Sequence, residues 1–152
     1  MTALPEPAAL EASAVLLATE ERPFSLEAIE LAASFGAPVR VLAIARVHGT
    51  NLGFPHPGLL PTKAEWEQQR TGVAKAVEAL RARGLECRGR VVGTRSAAKK
   101  IVQEARQHGC DAIVMGADPP RSPLLADFMW SQEPYRVRRR ARMPVYLVTP
   151  AD

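Results

Sequence analysis

An alternation of two periodicities, sustained from end to end, most constrains what this chain can fold into. Ala14-Val15-Leu16-Leu17-Ala18 is apolar at every position, as a strand is when helices cover both faces of its sheet. From Pro23 the pattern changes to Phe24, Ala28, Leu31, Ala32 and Phe35, a helical stripe that stops at Gly36, where a left-handed cap is easy. The exchange then recurs. Pro38 to Val47 predicts a second strand, and Thr62 predicts the N-cap of a long helix carrying Trp66, Val73, Val77 and Leu80 as far as Gly84. Cys87 to Val92 predicts a third strand, and Ala98, Ile101, Val102 and Ala105 a helix ending at His108-Gly109. Ala112 to Met115 and Pro144 to Val148 complete the strands, with a mostly helical segment before Arg142 that Pro134 starts or breaks. Parallel neighbours need a crossover, and the helices between these strands supply it. The expected architecture is therefore α/β, a doubly wound five-stranded parallel sheet with helices on both faces.

The 152 residues suit one domain, and neither an internal repeat nor a change of composition marks a boundary. Residues 1–12, with Pro5, Pro7 and two glutamates, read as a flexible lead-in, and residues 13–149 as the folded domain. Apolar residues make up 47% and charged residues 24%, the balance of a folding chain rather than a disordered one. No apolar run approaches the roughly 18 residues that span a bilayer, and the N-terminus lacks a basic segment followed by an apolar core. A cytoplasmic protein with no membrane association is expected. Cys87 and Cys110 have neither a CxxC spacing nor the number of a disulfide scaffold, so both read as reduced thiols, and no metal site is expected.

In such sheets a ligand lies beyond the carboxyl ends of the strands, where the winding reverses. The loops in question are Thr19-Glu20-Glu21-Arg22-Pro23 after the first strand and Gly116-Ala117-Asp118-Pro119-Pro120 after the fourth. Neither is rich in glycine, and prolines remove the N–H donors that a phosphate cradle depends on. The stretch from His48 to Thr62 has no period and is long enough to cover a site.

Two segments carry a family resemblance. Asp111-Ala112-Ile113-Val114-Met115-Gly116 closes the fourth strand, Met143-Pro144-Val145-Tyr146-Leu147-Val148 forms the last, and together they make the chain resemble the universal stress protein family from about Ala14 to Thr149. The resemblance implies a sheet order of 3-2-1-4-5 and a homodimer in which the last strands, Val145, Tyr146, Leu147 and Val148, pair antiparallel across a two-fold axis. Such pairing would cover an apolar edge that is otherwise a liability. Family members that bind ATP share G-x2-G-x9-G-[S/T] after strand four and an aspartate after strand one that meets the adenine. Here Gly116 matches the first glycine, Pro119 replaces the second, and Ser131-Gln132 replace the final pair after a longer interval. Glu20 takes the aspartate's place. Without the second glycine, close backbone approach to a triphosphate is forfeited.

Other chemistries find less support. A phosphate-receiving pocket at Glu20 and Glu21 would need an aspartate after strand three and a lysine after strand five, where Gly93-Thr94 and Thr149-Pro150 stand. His48, His56 and His108 have no ligand spacing, His56-Pro57-Gly58 is only half of a nucleotidyltransferase signature, and no G-x-S-x-G elbow is present. Arg136, Arg138, Arg139, Arg140 and Arg142 read as a solvated helix face whose arginines suit the negative end of the helix dipole. The net charge of +4 is too modest to argue for a nucleic-acid partner. The preferred reading is a non-catalytic, dimeric stress protein with no cofactor, acting through contacts with a protein partner. Its rival is an ATP-binding sensor or weak hydrolase using ATP with Mg, in which Glu20 and neighbouring second-strand residues hold adenine and Gly116, Ser131 and Gln132 lie near phosphate.

Overall fold

The computed structural model describes residues 11–47, 61–117 and 133–149. Most of the long loop before Thr62, together with Pro119, Ser131 and Gln132, lies outside these. Among the described residues five strands alternate with four helices: β1 (Val15–Glu20), α1 (Leu26–Ser34), β2 (Val39–Arg46), α2 (Lys63–Ala82), β3 (Cys87–Thr94), α3 (Ala97–Gln107), β4 (Ala112–Gly116), α4 (Glu133–Arg140) and β5 (Val145–Val148). All four strand pairings are parallel and the order is β3-β2-β1-β4-β5, as the resemblance implied.

β1 is the centre of the sheet, and all six of its residues are buried, which explains its unbroken apolar run. Side chains alternate across it. Val15 and Leu17 join the core under α1 and α2 with Ala28, Ala32, Val73, Ala76 and Leu80, whereas Leu16 and Ala18 join Ile101, Val102, Ala105 and Val137 under α3 and α4. Asp111, the first residue of the D-A-I-V-M-G segment, fastens the start of β1 by accepting the N–H of Ser13 (2.9 Å) and of Ala14 (3.3 Å). Those bonds favour the ionised form and lower its pKa.

Helix limits follow local chemistry. Ser25 caps α1 by accepting the Ala28 N–H at 3.1 Å. Thr62 and Glu65 form a reciprocal capping box on α2. Gly36, Gly84 and Gly109 follow the ends of α1, α2 and α3 with φ of 65°, 81° and 66°, the left-handed conformation that glycine adopts without strain. Gly89 answers a different need: a β-carbon there would come within 2.6 Å of Val73 Cγ1, so glycine lets α2 lie against β3.

Two expectations change and one open alternative is resolved. β3 runs on to Thr94, because Val92, Gly93 and Thr94 keep pairing with Ile44, Ala45 and Arg46. Pro134 starts rather than breaks α4, since the first turn of a helix does not need its missing N–H. Trp66 is not a core residue: it is half-buried, lying over Gly93 with the Arg70 guanidinium 6.0 Å from its ring centroid.

Candidate functional site

β2 lies on one side of β1 and β4 on the other, so the winding reverses between β1 and β4. Ligands of open α/β sheets bind at the carboxyl end of such a reversal. A cleft of ≈ 450 Å³ opens there, lined by Thr19, Arg22, Phe24, Gly116, Ala117 and Thr149 among others. The turn that follows β1 is held by its own bonds. Thr19 Oγ1 donates to Arg22 O (3.1 Å), Glu21 N–H donates to Ile44 O (3.0 Å), and Glu21 Oε1 accepts from the Arg46 N–H (3.0 Å). Glu21 adopts φ of 55°, unusual for a residue with a side chain, which lets the chain leave the strand sharply.

Of the residues singled out in the sequence, Gly116 lines this cleft and Glu20 does not. Strand alternation sends Thr19 and Glu20 to opposite faces. The Glu20 side chain is 6% exposed, and its Oε1 accepts from Arg46 Nη1 at 3.0 Å. Thus the acceptor in the place the resemblance gives to adenine recognition already holds a cation from the last residue of β2. Among the described residues, a β-carbon at Gly116 would meet nothing nearer than Val148 O at 4.0 Å, so none of them demands glycine there. The start of α1 reaches the cleft, but Glu27 in its first turn opposes an anion there. Ser131 and Gln132 lie outside the described residues. The edge residues are where the resemblance put them: β5 is an outer strand, with Val145 buried and Tyr146, Leu147 and Val148 half-buried. Tyr146 packs edge-on against Phe35, with ring centroids 5.5 Å apart. Arg136, Arg138, Arg139, Arg140 and Arg142 are exposed and do not line the cleft.

A second charged group was not foreseen. Glu104 is fully buried beneath α3, and its carboxylate is gripped by the Arg90 guanidinium through Nε (2.8 Å) and Nη2, with Arg40 Nε at 3.4 Å and His108 Nε2 at 3.7 Å. The Arg90 hydrogen bonds hold the Glu104 carboxyl below its ordinary pKa, against the opposing effect of burial. The available signal was a glutamate set among Ile101, Val102 and Ala105 on an apolar helix face. Arg46 had a comparable signal, a charge closing an apolar strand. Burial raises the pKa of both thiols, Cys110 to about 11, which makes them poor nucleophiles. Among the described residues no group of three or more histidine, cysteine or acidic side chains is placed to hold a metal, and no helix is long and apolar enough to cross a membrane.

The fold and cleft can be set beside known proteins. The model of the universal stress protein family matches residues 13–149. A universal stress protein family member from Burkholderia pseudomallei is similar in structure, with a TM-score of 0.61 and 24% identity over 91% of this chain and 96% of that one. The Archaeoglobus fulgidus universal stress protein in complex with dAMP has a TM-score of 0.61 and 18% identity, over 88% of this chain and 96% of its own. A universal stress protein in complex with cAMP has a TM-score of 0.60 and 19% identity, over 91% and 98%. At these identities the likeness to each structure is one of fold. No curated protein sequence matches the chain.

Proposed function

The chain belongs to the universal stress protein family, and from that premise we propose that it is a non-catalytic, dimeric member that works in the cytoplasm through protein contacts in stress adaptation and does not bind ATP in the ordinary way. The observation that carries this reading is the Glu20–Arg46 ion pair. An adenine amino group would meet a carboxylate whose Oε1 already accepts from a guanidinium, and a charged donor makes the stronger hydrogen bond. The sequence weighs the same way at the other end of the nucleotide, where Pro119 removes a backbone donor. For the dimer, the support is the position of β5 at the sheet edge with three half-buried apolar residues.

A second reading keeps a nucleotide. Gly116 stands beside an open cleft where no described residue requires it to be glycine, and two structures of the same fold are complexes with dAMP and with cAMP. Under that reading the protein is a nucleotide sensor or weak hydrolase. Native mass spectrometry of protein purified without denaturation separates the two. The proposal expects a mass of two bare chains. A mass increment matching a nucleotide, or a monomer at micromolar concentration, would count against it.

A further inference from the structure

A sheet edge offers a row of backbone groups to any chain that can lie alongside it. β3 is one edge of this sheet and, at 8 residues against 4 for β5, the longer one. Two flanking bonds orient its ladder: Val39 N–H donates to Glu86 O (2.9 Å) and Val47 N–H to Thr94 O (3.0 Å). In a parallel ladder alternate residues turn their N–H and C=O to the same neighbour. Glu86, Arg88, Arg90, Val92 and Thr94 therefore face β2, and Cys87, Gly89, Val91 and Gly93 direct theirs outward. The outward row already accepts donors at its first member, where Arg81 reaches from α2 and donates to Cys87 O through Nε (3.1 Å) and Nη2 (2.8 Å).

Beside this edge, between α2 and β3, runs an open groove of ≈ 820 Å³. Its charged walls are Arg70, Arg81, Arg88 and Arg90, and no Asp or Glu is among the described residues that line it. Arg90 bonds Glu104 under α3, so by strand alternation Arg88 and Arg90 stand on the α3 face while Arg70 and Arg81 stand on α2. Positive charge thus flanks the edge on both faces. A second copy of the same strand would set arginine against arginine, which disfavours it. Base stacking needs a free aromatic face, yet the Trp66 ring edge abuts Gly93 and Arg70 stands over its face.

We infer that this groove docks an extended acidic segment of a partner protein, added to β3 as a sixth strand with its carboxylates on the α3 face against Arg88 and its apolar side chains on the α2 face beside Val77 and Val91. The inference rests on the protein-contact reading above and gives that contact a place, while being independent of how the cleft between β1 and β4 treats nucleotides.

The test is fluorescence anisotropy of a labelled synthetic peptide alternating Glu and Val, titrated with the full-length protein. The account expects saturable binding that weakens by about tenfold or more with Arg88→Glu, a change at an exposed position. N-methylating alternate peptide nitrogens keeps every carboxylate but removes strand donors, and in one of the two registers it should weaken binding by about tenfold as well. That arm uses the unaltered protein and is immune to any folding defect in the variant. Absence of binding, equal binding of both N-methylated peptides and the parent, or tighter binding of a single-stranded oligonucleotide of equal charge would overturn the proposal. None of these outcomes bears on nucleotide retention, so this inference and the nucleotide reading fail separately.

Discussion

Glu104 and Glu20 are both shielded from water and both pair with an arginine of β2, but they stand at opposite ends of that strand. Arg40, near its start, contributes to the cluster around Glu104, and Arg46, its last residue, takes Glu20. At the amino end the carboxylate is also bound by Arg90 of β3 and approached by His108, the residue that follows α3, so one buried charge ties α3 to two strands. At the carboxyl end the pair joins β1 to β2, beside rather than inside the cleft that opens between β1 and β4. A buried carboxylate held by arginine is a fastening in one place and a neighbour of the ligand ground in the other. Position in the sheet, rather than the chemistry of the pair, separates the two roles.

The comparison is sharpened most by Glu104→Gln. Removing the carboxylate leaves arginines facing a buried amide, and breaking a buried pair costs about 3 kcal/mol, somewhat less where the freed arginines can turn to water. Urea unfolding at neutral pH should show that loss as a lower midpoint with an unchanged slope. The gap should also depend on pH in one direction. Because the folded Glu104 carboxyl titrates below its ordinary value, its contribution is complete above the unfolded pKa of about 4.3 and is lost as the pH falls through the folded value. Wild type and Glu104→Gln should therefore converge as the pH falls through the carboxylate range. A gap that widened in acid would contradict the assignment.

Glu20→Gln should cost less, about 1 kcal/mol, because the partner it leaves behind, Arg46, is 34% exposed and can turn to water, and the Arg46 backbone bond to Glu21 persists. Equal losses from Glu104→Gln and Glu20→Gln, read by the same unfolding curves, would break the contrast between the two ends of β2.

Much of the fold was legible because burial on both faces leaves so plain a mark. The apolar run of β1, the helical stripes and the glycines that close three helices all occupy the places their local chemistry predicts. What escaped was what only register creates. Glu20 and Arg46 are far apart in sequence and meet because β1 and β2 pair Glu20 with Ile44, which brings Arg46 to the same rim. Glu104 likewise gains Arg90 only through the placement of β3 beside β2. Trp66 shares the helical spacing of Val73 and Leu80, yet those two are buried and it is only half-buried, a difference that spacing alone does not carry. At the site, position beyond the strand ends was readable, whereas the division of Thr19 and Glu20 between opposite faces needed the strand's exact phase.

The most direct test is calorimetric titration of the nucleotide-stripped protein with ATP and magnesium. The account predicts no measurable heat of binding beyond dilution, since Arg46 holds the carboxylate that adenine would need. Saturable binding in the micromolar range would contradict it and would direct mutagenesis to Glu20, Arg46 and Gly116.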